Sequence, residues 1–303
     1  MVHDHAGHSH TVKPDADARR LWTALGLILG FMVVEVVVGL LAHSLALLSD
    51  AAHMVTDAGA LALSLVVVRL MRRPAAGNLT YGLKRTEILS AQANGATLLV
   101  LGCLIVYEGI RRLIDPPDAQ GRAIVIVALV GVAVSLAATW QLARANRESM
   151  NIEGSFLHLA TDLFAFVLTA VAGAVILATG WTRADGIASL VIAASMLVAA
   201  YRLLRDSGRV LLEAAPEGTD VAEIGRALAG HRHVESIHDL HVWLVSSDLC
   251  ALSAHVLVHP GDDCHAIRRE LEVLLHDRFE ITHTTLQVDH ADEPRLLTIT
   301  PRL

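Results

Sequence analysis

The chain has 303 residues, 53% of them hydrophobic and 18% charged, with a formal net charge of −7 at pH 7. Its mean hydropathy of +0.50 is too apolar for an ordinary soluble protein of this length, so a membrane protein is the leading class. No sustained basic tract with interleaved aromatics is present, which argues against nucleic acid as a partner. Cys103, Cys250 and Cys264 form no CxxC pair, so neither a disulfide framework nor a thiolate zinc knuckle is expected, and the three read as small packing residues.

Residues 1–20 form a polar tail with His3, His5, His8 and His10. This composition suits a disordered segment that binds metal loosely, either collecting it near an entrance or buffering it. Six apolar stretches follow, at about 21–42, 45–70, 88–110, 122–143, 156–179 and 185–204. Each approaches the roughly 20 residues that a helix needs to cross the hydrocarbon core. The first is not read as a cleavable signal, because no clear small-residue cleavage site follows it and the next span begins almost at once.

An even number of spans puts both termini on one side, and basic flanks decide which. Lys13, Arg19, Arg20, Arg69, Arg72, Arg73, Lys84, Arg85, Arg144, Arg147, Arg202, Arg205 and Arg209 lie on one set of flanks, against Arg111, Arg112, Arg122 and Arg183 on the other. Both termini are therefore expected in the cytoplasm. Short connections, Ala42 to Ser44 and the turn Asp115, Pro116, Pro117, predict antiparallel hairpins within a transmembrane domain at 21–206.

From about residue 207 the chain becomes charged and rich in His. The pattern predicts a helix at 219–230, strands at 233–246 and 249–260, a helix at 264–279 and a strand at 283–290. Together these make a small α+β domain over 207–291, followed by a tail at 292–303. Alternation in Ser253 to His259 and the spacing of Ile267, Leu271, Leu274 and Leu275 predict a sheet with helices on one face.

Ionisable groups within the apolar stretches carry the functional signal. One of them costs about 2.5 to 3.5 kcal/mol at mid-membrane on insertion scales, so such groups face a protein interior or an aqueous cavity. The second stretch carries Asp50, His53 and Asp57, and the fifth carries His158 and Asp162. HxxxD thus occurs twice, and residues four apart stand one turn above each other on one helical face. Two such faces supply two nitrogens and two oxygens, a set that suits tetrahedral zinc at about 2.0 to 2.2 Å, and two aspartates cancel its charge. A single HxxxD arises by chance in a chain with 17 His, and polar groups also tie membrane helices together; two copies in apolar spans favour the metal. HExxH is missing, so no metallohydrolase centre is expected. Glu35, Gln92 and Asn94 either line a cavity or bond neighbouring helices, and the structural reading is favoured for all three.

Three segments resemble the cation diffusion facilitators, especially their bacterial zinc, cadmium and cobalt resistance branch: Ser44 to Asp57 (SLALLSDAAHMVTD), FLHLATD around His158 and Asp162, and His238 to Trp243 (HDLHVW). The resemblance covers nearly the whole chain. It implies a six-helix transmembrane bundle with a ferredoxin-like cytoplasmic domain, a homodimer in the bacterial inner membrane, and no enzymatic activity. The implied function is zinc export by alternating access, driven by inward-moving protons, with His53, Asp57, His158 and Asp162 as the transport site and cadmium and cobalt as further substrates. Metal binding requires neutral His and ionised Asp, and an ordinary imidazole titrates near pH 6.5, so metal and proton exchange within physiological reach.

The resemblance further implies soluble-domain ligands at His238, His255 and Asp289, with His265 as a ligand or bridge to a second ion, while His241 reads as structural. His231, His233, His259, His276, His283 and His290 compete for such roles. YGLKRTEIL, Tyr81 to Leu89, is similar to the family's start of span three and implies an ion pair of Arg85 with Glu213, for which Lys84 and Asp206 are alternatives. Arg72 to Lys84 contains neither His nor Asp, so the extra loop site of some relatives is expected to be absent. No obligatory cofactor is implied; zinc is cargo. The competing class is a membrane zinc sensor that binds metal without moving it.

Overall fold

The computed structural model describes residues 14–41, 45–115, 121–145, 147 and 149–291, with the side chains at 14–16, 35, 38–41, 45–53, 56 and 121–124 outside the description. The chain divides into two compact units, Met1–Gly208 and Arg209–Leu303.

The first unit is helical: α1 (Pro14–Leu41), α2 (Leu45–Met71), α3 (Thr86–Ile114), α4 (Gly121–Ala143), α5 (Met150–Thr179) and α6 (Arg183–Leu211), the last running just past the unit boundary. Among the described residues, four helices are long and apolar enough to cross a membrane, within α3, α4, α5 and α6. Several helices run beyond the apolar stretches read from the sequence. Proline is tolerated in a first helical turn, where its missing N–H has no partner to lose, so α1 starts at Pro14 inside the segment read as tail. Ser149 precedes α5 in an extended conformation and Glu153 lies in the first turn, where a negative charge suits the helix dipole, so α5 starts six residues before the apolar run does. At its other end Gly180 adopts a left-handed φ of 71° and its N–H bonds to Ile176 O, closing the helix.

The register between α2 and α5 follows from their contacts. Asp57 meets His158, whereas Ser64, two turns further along α2, meets Ser155 and Asn151, which lie earlier in α5. The two helices are therefore antiparallel. α3 packs on α6 through Gly95, Gly102 and Gly109, one every seven residues; a Cβ at these positions would lie 3.0 to 3.1 Å from Leu203, Leu197 and Leu190 respectively. Small residues let membrane helices approach closely where no hydrophobic effect draws them together. At the far end of this pair Arg112 is bonded to Asp185, joining the last turn of α3 to the first turn of α6. Leu21, Ile28, Leu61, Leu142, Ile152 and Leu159 are part of a buried cluster that holds α1, α2, α4 and α5 together.

The second unit contains α7 (Val221–Ala229), β1 (Val234–Ser246), β2 (Leu249–Val258), α8 (Cys264–Phe279) and β3 (His283–His290). The sheet order is β1-β2-β3, with β1 antiparallel and β3 parallel to β2. Leu252, Ala254, Val256 and Val258 alternate along β2 and pack with Ile224 and Leu228 of α7 and Ile267, Leu271 and Leu275 of α8. Both helices thus cover one face, and Ser253, His255 and Leu257 point from the other.

Two outcomes follow from this packing. Gly102→Val should overpack the α3–α6 contact by about 1 to 3 kcal/mol, seen as a lower unfolding midpoint of the purified protein. In α7 the N-cap carboxylate of Asp220 accepts from Glu223 N, which holds it below the ordinary carboxylate range. Its contribution is complete above the unfolded pKa and is lost as pH falls through the depressed folded value. On acidification the protection of the α7 amides, taken relative to the intrinsic exchange rate at each pH, should therefore fall, and Asp220→Asn, which keeps the cap, should abolish that fall.

Candidate metal transport site

In the helical unit α2 and α5 bring Asp57, His158 and Asp162 together, with one ligand atom from each lying within 4.8 Å of the others. His158 Nε2 is 2.9 Å from Asp57 Oδ1 and 3.9 Å from Asp162 Oδ2. The imidazole is 2% exposed, while the two carboxylates retain partial exposure. Nitrogen flanked by two carboxylate oxygens is a donor set for a borderline divalent cation such as zinc. The fourth residue of the paired HxxxD pattern, His53, lies one turn before Asp57 on α2, and its side chain is outside the described residues. Asp50 and Glu35 are outside them in the same way, as are the tail histidines.

A hydroxyl and amide network adjoins this cluster. Asn151 Nδ2 donates to Ser64 O at 3.0 Å, and Ser155 Oγ donates to Asn151 O at 3.1 Å. The Ser155 proton being used, the 2.5 Å contact between Ser64 Oγ and Ser155 Oγ has Ser64 as donor. These bonds lock α2 against α5 within about two turns of His158.

The soluble unit gathers a second group, His238, Asp239 and His255, also with ligand atoms within 4.8 Å. His238 and His255 are direct partners across β1 and β2, with ring centroids 5.1 Å apart. Here the structure groups a residue that the sequence reading did not name, and leaves two that it did name outside the group. Asp239 joins the group because β1 is irregular between His238 and His241, and Asp239 takes a left-handed φ of 51°. In a regular strand, adjacent residues point to opposite faces; the irregularity removes that separation. Asp289 pairs with Leu257, one row beyond His255 and Gln287, and its Oδ2 accepts from Gln287 Nε2 at 2.7 Å. It is not in the group, nor is His265, which is exposed in the first turn of α8. His241, read as structural, lines a cavity of about 340 Å³ with Asp239, His255 and Gln287.

The competing histidines have carboxylate neighbours: His231 with Glu270 at 3.0 Å, His233 with Asp262 at 3.0 Å and His259 with Glu235 at 3.6 Å. Cys264 packs against the core of the unit, as expected, but its Sγ also lies 3.5 Å from His290 Nε2. Arg85 occupies the N-cap position of α3, and Glu213 follows α6 with a left-handed φ of 58°.

Apolar helices enclosing an imidazole–carboxylate cluster, followed by a small α/β unit with a second one, define a metal-handling integral membrane protein. Comparison with known families carries this further. The family model described as "Cation efflux transmembrane domain" matches residues 21–212, and that described as "Cation efflux protein, cytoplasmic domain" matches 216–291. The chain belongs to the cation efflux family, and the relatives it matches are named as metal cation transporters and antiporters, so it is a transporter rather than an enzyme. It is 37% identical to the zinc transporter ZitB of Escherichia coli, over 96% of this chain and 93% of that protein. With the cadmium, cobalt and zinc/H(+)-K(+) antiporter of Bacillus subtilis it shares 35% identity, covering 93% and 92%. With the metal cation efflux system protein CzcD of Cupriavidus metallidurans it shares 37%, covering 94% and 90%. A solved metal-bound C-terminal domain of the CzcD transporter matches at 33% identity and a TM-score of 0.23, over 23% of this chain and 99% of that one.

The assignment of Asp239 has a direct readout. In an Asp57→Ala, Asp162→Ala background, Asp239→Ala should weaken zinc binding by the soluble unit about 10- to 100-fold, the range for losing a supporting or ligating group. Asp289→Ala, measured beside it by the same titration calorimetry, decides whether that residue ligates as well.

Proposed function

We propose that the chain exports zinc from the cytoplasm in exchange for protons, by alternating access around Asp57, His158, Asp162 and His53. The observation that carries this reading is the buried cluster between α2 and α5. A carboxylate pair and an imidazole in an apolar bundle are expensive unless charge is balanced, and either a divalent cation or protons balance it. Since ligands must be deprotonated to bind metal, loading zinc expels protons and acid on the opposite side favours its release. Metal and protons thus compete for one set of atoms, which is the physical requirement for exchange.

The names of the relatives support the same substrate range. ZitB is named a zinc transporter, and the Bacillus protein an antiporter of cadmium, cobalt and zinc. Two nitrogens and two oxygens favour zinc, with cadmium and cobalt as further cargo. On this reading α1 to α6 are six spans in the inner membrane, with both termini in the cytoplasm. The antiparallel register of α2 and α5 supports that topology, since even- and odd-numbered spans run in opposite directions. The second unit is a cytoplasmic ferredoxin-like domain that dimerises and binds zinc at His238 and His255. Asp289 and His265, the further ligands that the resemblance implies, belong to the same proposal although they lie outside that cluster. An ion pair of Arg85 with Glu213 belongs to the same proposal, as a tie between bundle and soluble domain.

Zinc uptake by liposomes under an imposed pH gradient tests the reading. The natural chain should move zinc, and an Asp57→Ala, Asp162→Ala variant should fall to the protein-free background while remaining folded. Should the natural chain leave zinc unmoved while its soluble unit binds it, the protein is a sensor instead.

A further inference from the structure

Buried polar side chains continue from the metal cluster toward one end of the bundle, and protein packing does not account for all of them. Ser64, Glu87, Ser90, Asn94, Asn151 and Ser155 are each no more than 2% exposed. They lie on α2, α3 and α5. The antiparallel register orders them along α5: Ser155 is about one turn before His158, Asn151 about two, and Ser149 just precedes the helix, roughly 13 Å away at 1.5 Å per residue. Ser149 Oγ donates to Glu87 Oε2 at 3.3 Å, so Glu87 marks the end of the series. The Asn94 amide is placed by Gly154, where a Cβ would lie only 3.3 Å from Asn94 Nδ2.

Bonds between helices explain Ser64, Ser155 and the Asn151 amide N–H. They do not explain Ser90 Oγ, Asn94 Nδ2 and Asn151 Oδ1, which are buried and have no hydrogen-bond partner among the described residues. His158 Nδ1 is in the same condition at the head of the series. Buried polar atoms are almost always satisfied, and a run of such atoms leading to a metal cluster requires a polar occupant. The composition is neutral or acidic, without a Lys or Arg among the six, which suits a cation. By the distribution of basic flanks, the end marked by Glu87 and Ser149 is the cytoplasmic one.

We infer that Glu87, Ser90, Asn94, Asn151 and Ser155 form the route by which a partly hydrated divalent cation reaches His158 from the N-terminal end of α5. Amide and hydroxyl oxygens replace part of the hydration shell in turn, and the Asn94 and Ser90 side chains keep water beside the ion. This rests on the transport reading above and adds residues that neither HxxxD motif contains.

The test uses the full chain with Cys103, Cys250 and Cys264 replaced by serine. Ser90→Cys, nearly isosteric, and Asn94→Cys are each exposed to a small charged thiol reagent, then reconstituted for zinc flux. Leu98→Cys, one turn on and fully buried among apolar side chains, is the control. Both test cysteines should react in the folded protein and flux should be lost on modification, whereas Leu98→Cys should react only after denaturation. A test cysteine that reacts only after denaturation would overturn the route, and so would one that reacts with flux unchanged. Flux is also read in the cysteine-free parent chain, which keeps Ser90 and Asn94, so a failure of the transport reading shows there, whereas a failure of the route shows as flux in the variants that the reagent leaves unchanged.

Discussion

The contact between His158 Nε2 and Asp57 Oδ1, 2.9 Å long and enclosed by apolar helices, sets the terms for the rest of the bundle. A lone carboxylate or imidazolium in such surroundings pays a desolvation cost that a single hydrogen bond does not offset. The pair is tolerable only because it is held at contact distance, and that demands a rigid seam between α2 and α5. Ser64, Ser155 and Asn151 provide it within a turn or two of the site. The packing of Leu21, Leu61 and Leu159 around the same helices removes freedom that polar bonds alone would leave. Rigidity in the seam thus keeps the two groups at contact distance.

The soluble unit uses similar donors under opposite conditions. His238, Asp239 and His255 stand on the face of the sheet that α7 and α8 leave open, where water solvates any unpaired group. A metal-free cluster costs little there, and on the reading proposed above its occupancy would follow free metal concentration by mass action. What it costs instead is backbone strain, because a non-glycine residue at a φ of 51° is held in a sparsely populated region. Aspartate tolerates that conformation better than most residues, and a β-branched or bulky one would not.

How much of this was legible in the sequence differs between the two units for one reason. Helical period is strict, so HxxxD predicted that His158 and Asp162 share a face, and the repeat on a second helix brought Asp57 to the same point. Strand alternation is equally strict, and it placed His255 on the open face; it failed at Asp239 because an irregular register defeats counting by twos. Asp289 follows the alternation and does stand on the open face, but one row away, a distance that a motif does not encode. The helix ends at Pro14 and Met150 were missed because hydropathy sees where the lipid stops, whereas caps and dipole charges decide where a helix stops. Ser90 and Asn151 gave no signal of their own, since small polar residues are common ties between membrane helices.

The distribution of those residues gives the site a direction. Among the described residues, buried polar side chains on α3 and α5 lie on one side of the metal cluster or beside it: Glu87, Ser90, Asn94, Asn151 and Ser155, then His158 and Thr161. Further along, the buried positions of α5 are Ala172, Gly173 and Ile176, and those of α3 are Gly95, Leu98, Gly102 and Gly109. Leu98 packs there with Ile192, Met196, Ala199 and Leu203 of α6. Around His158, buried donors therefore lie on one side and apolar side chains on the other, and the apolar side is the steeper barrier to a cation. Leaving by that side requires α3 and α6 to part where glycines let them pack most closely. On the transport reading proposed above, the opening step would fall on the α3–α6 contact rather than on the seam that holds the ligands, so that ligand geometry persists while access changes.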